Sequence, residues 1–284
     1  MIKNKYGLSR YIPTKIRRII RQQSGFGCIF CGFAISHCEH VDPEFSEAKE
    51  HDPDYMTFLC GHCNDKKMRG ILSKEAVKRA MLNPKCIQKG FTFDAFDVGI
   101  NLPSIQFIDS TWNANKAFIL LRINGTDLLR FEPPEEKGNP FLLSAQFYNN
   151  KGKRFFWIER NEWFGDINNW EIEAKGNLIM IRNNVGKYSL EIRNIPNDRL
   201  IINRINMIYK GYKIKGDKHE GITILFPNGK KYFTIKINTT CSGAEVTAFE
   251  IEENKINIAK VKGGPSSIKC MSIGYLGHEK PKKI

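Results

Sequence analysis

The sequence predicts an α+β N-terminal module stapled by a metal, followed by an all-β C-terminal domain. Three observations carry this. Two CxxC pairs, one at Cys28 and Cys31 and one at Cys60 and Cys63, lie close together near the N-terminus. Near residue 90 the helical patterning gives way to Gly, Pro and aromatic residues. From about residue 111 to 262, short β-branched runs recur between turn signals. At 284 residues the chain suffices for one large domain or two modest ones, and its 41% apolar content excludes global disorder.

The elements follow in order. Residues 1–25 hold seven Lys or Arg and no acid. Pro13 to Gln23 reads as a short basic helix that turns Ile16, Ile19 and Ile20 inward and offers Arg17, Arg18 and Arg21 to phosphates. After Asn64, DKKMRG reads as a helix ending at Gly70. Ser73 then caps SKEAVKRAML, which stops at Asn83-Pro84. Residues 91–110 read as a linker. Beyond it AFILLRI, FFWIER, NLIMIR, YSLEIR, GITILF and YFTIKI read as strands, and Asn228-Gly229 between the last two predicts a hairpin. Short strands at close spacing predict a sandwich or a β-solenoid over 111–262. Its aromatics Phe155, Phe156, Trp157, Trp163 and Trp170 are expected in the core, and residues 263–284 read as a basic tail.

The net charge of +14 and a pI near 9.4 favour a polyanionic partner, nucleic acid or an anionic membrane surface. No stretch reaches the length of a membrane-spanning helix, and the N-terminus lacks the apolar core of a secretory signal. Of eight cysteines, four sit in the CxxC pairs, while Cys38, Cys86, Cys241 and Cys270 are scattered. Without a signal this reads as metal binding plus free thiols in a cytoplasmic protein.

Each CxxC forms a knuckle whose backbone amides stabilise thiolates. Cys28, Cys31, Cys60 and Cys63 together complete a closed, structural Zn²⁺ site. The reactive residue types lie inside the loop this zinc would close.

The order CIFC, EHVDP, LCGHCNDKK resembles the HNH endonuclease family, the ββα-metal nucleases in their zinc-stapled form, over residues 10–83. The resemblance implies His40 as general base, with Glu39 and Asn64 holding a catalytic Mg²⁺ or Mn²⁺. Lys66 and Lys67 would meet phosphate at the N-terminal end of the following helix. It further implies a DNA substrate, a homodimer or larger assembly for double-strand breaks, and a role in bacterial or phage defence or mobility. The β domain would target or assemble the module through a protein partner. Adjacent strand residues face opposite ways, so convergence of Glu39 and His40 requires a local bend.

The chain departs from the family at one position. Tyr55 stands where the middle asparagine is expected, with Asp54 beside it as the substitute support for His40. His37 and His51 read as loop residues, His62 as solvent-facing and Cys38 as incidental. Two rival readings remain at this point. One is a zinc-dependent nucleobase deaminase using His37, Glu39, Cys60 and Cys63. The other is a non-catalytic zinc protein that binds nucleic acid.

Overall fold

The computed structural model describes residues 3–101, 104–229, 232–253, 255–262 and 267–276. The chain divides into two compact units: Met1–Asp94 with Phe164–Gly176 and Ile181–Val185, and Ala95–Trp163 with Asn177–Met180 and Gly186–Ile284. The first segment of the first unit ends at Asp94, close to the composition change near residue 90. The first unit also takes in two later segments that the sequence assigned to the β domain, because their partners lie far away in the chain.

The first unit runs α1 (Thr14–Gln23), β1 (His37–His40), β2 (Met56–Leu59), α2 (Gly61–Met68), α3 (Lys74–Leu82), α4 (Lys85–Lys89) and β3 (Phe91–Ala95). All four residues of β2 are buried, and its period of two explains how. Met56 and Phe58 pack on Ile20 of α1, with Ile12, Ile16 and Cys38 alongside. Leu59 faces the other way, into a core of Ile29, Val41, Val77 and three cysteines. β1 pairs with β2 antiparallel, with His37 opposite Leu59 and His40 opposite Met56. Ser73 caps α3 as expected, its Oγ accepting from the Ala76 amide at 3.1 Å. The 91–110 stretch is not a linker: it contains β3 and the strand Ser104–Phe107.

The arginines of α1 are mostly committed. Glu171, fully buried, accepts from Arg21, from Arg18 Nε at 3.0 Å and from Arg182 Nη1 at 2.5 Å. The Arg18 guanidinium also lies 4.5 Å over the Trp170 ring. This corrects the expected phosphate-binding face of α1. Arg21 is buried on Glu171 and Arg18 is shared between Glu171 and Trp170, which leaves Arg17 half-exposed beside Tyr11. Burial alone would raise the Glu171 carboxyl, but the three guanidinium groups outweigh it and hold it below the ordinary value of 4.5.

Glu171→Gln is expected to cost the first unit about 3–5 kcal/mol, because it strands buried arginines. A lowered urea midpoint at neutral pH would read this out. The sign with pH follows from the depressed value: the wild-type advantage is present above 4.5 and is lost as pH falls through the folded value. The two proteins should therefore converge in acid.

In the second unit, strands adjacent in sequence are adjacent in the sheet. One path runs Lys187–Ile195, Arg199–Tyr209, Tyr212–Asp217, Gly221–Leu225, Tyr232–Glu252, and then Ser110–Ile123, Thr126–Glu132, Leu142–Tyr148, Arg154–Glu159. Neighbours along this path are antiparallel except where Tyr232–Glu252 lies parallel to Ser110–Ile123, and off the path Ser104–Phe107 lies parallel to Arg199–Tyr209. The β-rich expectation is met, and most neighbours along this path are also neighbours in sequence. The expected hairpin is formed: Gly221–Leu225 and Tyr232–Glu252 pair across Asn228-Gly229. Part of the expected tail, Ser267–Leu276, is a strand on Tyr232–Glu252, while residues 277–284 lie outside the described residues. Phe155, Phe156 and Trp163 are core, as expected; Trp157 and Trp170 are only half-buried.

Candidate metal centre and adjoining histidine cleft

The four expected cysteines converge. The sulfurs of Cys28, Cys31, Cys60 and Cys63 all lie within 4.8 Å of one another, and Cys31 and Cys60 are 3.6 Å apart. Tetrahedral zinc with bonds of about 2.3 Å needs sulfurs about 3.8 Å apart, so the cluster matches a metal such as zinc. The first knuckle closes through Gly32, whose amide donates to the Cys28 carbonyl at 2.8 Å and whose φ is +89°. Gly27 permits the close approach beneath it, since a Cβ there would meet the Gly32 carbonyl and the Cys86 sulfur at under 3 Å. The second knuckle is the start of α2: Cys60 caps it, its sulfur accepting from the Cys63 amide at 3.4 Å. A thiol hydrogen bond from Cys31 and amides around the knuckle hold Cys28 down to about 5, against its burial. Burial pushes Cys63 up to about 12.

Next to this cluster, β1 presents Glu39 and His40. Its register on β2 is unbroken, so the expected local bend is not seen and the two side chains leave opposite faces. Glu39 turns toward α2, where Asn64 Nδ2 donates to its Oε1 at 3.4 Å. Asn64 Oδ1 is buried without a hydrogen-bond partner. Directly across the ladder from Glu39, the Thr57 Oγ1 is likewise buried and unpartnered. Unmet buried acceptors cost roughly 1–3 kcal/mol each.

His40 is 8% exposed and faces a cleft of about 300 Å³ lined by Pro43, Glu47, Glu50, Asp52 and Tyr55. Its Nε2 lies 3.3 Å from Nδ1 of His51. Burial, then His51, Lys67 and Arg10, push its imidazole down to about 4, against a hydrogen bond with the Glu50 backbone. It is therefore neutral near pH 7, the state a general base requires. No described hydrogen bond joins the Glu39–Asn64 pair to the His40–His51 pair; the link is the strand itself.

Other expected residues fall differently. Lys67 does not point to a phosphate site: its Nζ donates to the His40 carbonyl at 2.7 Å, tying α2 to the end of β1. Lys66 is half-exposed on α2. Asp54 does not support His40; it accepts from Gln23 at 3.3 Å, and Tyr55 is exposed. The residue beside His40 is His51, which reads as an ordinary loop histidine in sequence. Its only local signal is its place in the loop between β1 and β2. His37 is exposed, as is His62.

No family model, no curated protein and no solved structure matches this chain. No helix among the described residues is long and apolar enough to cross a membrane.

Proposed function

We propose that the first unit is a metal-dependent HNH-type endonuclease that hydrolyses DNA phosphodiester bonds with His40 as general base. The observation that carries this reading is the placement of a buried, neutral His40 one residue from Glu39, with Glu39 against Asn64 at 3.4 Å, on a strand–strand–helix unit beside four clustered cysteines.

Glu39 and Asn64 would hold Mg²⁺ or Mn²⁺, and the unpartnered Asn64 Oδ1 supports that role. When bound, such a cation supplies charge stabilisation at the leaving oxygen. His40 accepts the proton of the attacking water. In-line displacement sets attacking and leaving oxygens on opposite sides of phosphorus. The unbroken strand sends Glu39 and His40 to opposite faces, so this reading requires the end of β1 to bend when DNA binds. Lys67 fixes the His40 backbone through its carbonyl, while Lys66, Arg17 and the net charge of +14 are available to the DNA backbone. One such site cuts one strand, so double-strand breaks call for a homodimer or larger assembly. A role in bacterial or phage defence or mobility, with the β unit engaging a protein partner, completes the reading.

The deaminase reading has no support in the geometry. Cys60 and Cys63 cluster with Cys28 and Cys31, and His37 is exposed outside the set.

The test is cleavage of supercoiled plasmid with Mg²⁺ or Mn²⁺ against EDTA, alongside DNA binding by gel shift. Metal-dependent nicking is expected. Binding with no cleavage under either metal would replace this reading with a non-catalytic, zinc-stapled nucleic-acid-binding protein.

A further inference from the structure

His40 is the one group the proposed chemistry depends on, and the residues expected to support it do not touch it. The 44–52 loop does. That loop is anchored at both ends of its first turn: Asn4 Nδ2 donates to the Phe45 and Ala48 carbonyls, each at 2.6 Å. Lys5 pairs with Glu47 at 2.6 Å, and the Arg10 guanidinium lies 4.6 Å over the Phe45 ring. Phe45 in turn sits against the His40 ring, with centroids 5.5 Å apart. The loop's last contribution is His51, whose ring centroid is 5.2 Å from that of His40 and whose Nδ1 is 3.3 Å from His40 Nε2. After it, Asp52 caps the turn Pro53–Tyr55.

A neutral imidazole carries one N–H and one lone pair, and the partner of one nitrogen decides which is which. We propose that His51 is the positioning residue for His40: its Nδ1, 3.3 Å from His40 Nε2, shares one ring hydrogen with it, which fixes the tautomer of His40. This rests on His40 acting as the base and assigns the support that neither Tyr55 nor Asp54 provides. An uncharged partner suits the place. A second histidine fixes the tautomer without adding charge.

The experiment has two readouts on the full-length chain. Nitrogen-15 NMR of the histidine rings reports the tautomer directly, whether or not DNA is cut. His40 is expected as a single tautomer in the wild type and as a mixture of tautomers in His51→Ala. In plasmid cleavage, His51→Ala should lower kcat roughly tenfold to a hundredfold with KM little changed. That is less than the ~10⁴-fold lost when the orienting carboxylate of a catalytic triad is replaced. His51→Asn, whose amide can accept or donate that hydrogen, should recover most of the loss; a purely space-filling role would not show this rescue. A mixture of His40 tautomers in the wild type, or an unchanged tautomer in His51→Ala, would overturn the proposal. If the tautomer responds but no variant cuts DNA, the His40–His51 contact stands and the nuclease reading falls.

Discussion

Replacing Cys28 with serine is expected to empty the zinc site and unfold the first unit. Zinc content should drop from one per chain to near zero, and limited proteolysis should open the segment around residues 28–68. The size of the effect follows from the double role of these sulfurs. Cys28, Cys60 and Cys63 would hold the metal, and they are also members of the core that contains Leu59, Val41 and Val77. Zinc bound by small four-ligand peptides contributes about 10–16 kcal/mol at neutral pH. Whole domains are stable by only about 5–15 kcal/mol. Losing even part of the first term is therefore enough. Cys38→Ala is the matched control: Cys38 is a half-buried thiol outside the cluster, so zinc should be retained. A Cys28→Ser protein with full zinc and an unchanged melting curve would remove the structural-zinc reading. Chelation of the wild type should reproduce the variant.

His40→Ala should lower metal-dependent DNA cleavage by roughly 10²–10⁴-fold, the usual contribution of a positioned acid–base group. DNA affinity should hardly change, because a ring 8% exposed contributes little to a backbone contact. The distinction matters, since a zinc-stapled binding module would show no difference in either quantity. Glu39→Ala and Asn64→Ala should act on the metal, raising the Mg²⁺ or Mn²⁺ concentration needed for half-maximal rate. If His40→Ala cuts as fast as wild type, the base lies elsewhere and the proposal fails at its centre.

The parts of this protein legible in its sequence are those decided within a few residues. Ser73 announces α3 because its hydroxyl reaches only three residues forward, to the Ala76 amide. The knuckles are legible because CxxC spacing and a following glycine make the turn themselves. Asn228-Gly229 specifies a hairpin for the same reason. The reading failed where a partner comes from far away. Arg18 and Arg21 look like free cations on a basic helix, yet their acceptor Glu171 is 153 and 150 residues distant. The 91–110 stretch looks like a linker because its strands owe their order to neighbours, not to their own pattern. Asn4, in a segment that reads only as basic, fixes the loop that carries His51.

The sequence by itself determined the four-cysteine cluster, the helices that flank it, the β-rich character of the rest, and the placing of Glu39, His40 and Asn64 close to that cluster in the chain. These rest on short-range turns, caps and periodicity, which need no tertiary context. Only the tertiary structure decided that Glu39 and His40 diverge from an unbroken strand, that Lys67 serves the His40 backbone, and that His51 stands where Tyr55 and Asp54 were expected to act. The physical reason is that a side chain's partner is set by which surfaces pack together, and burial, not spacing, brings His51 to His40.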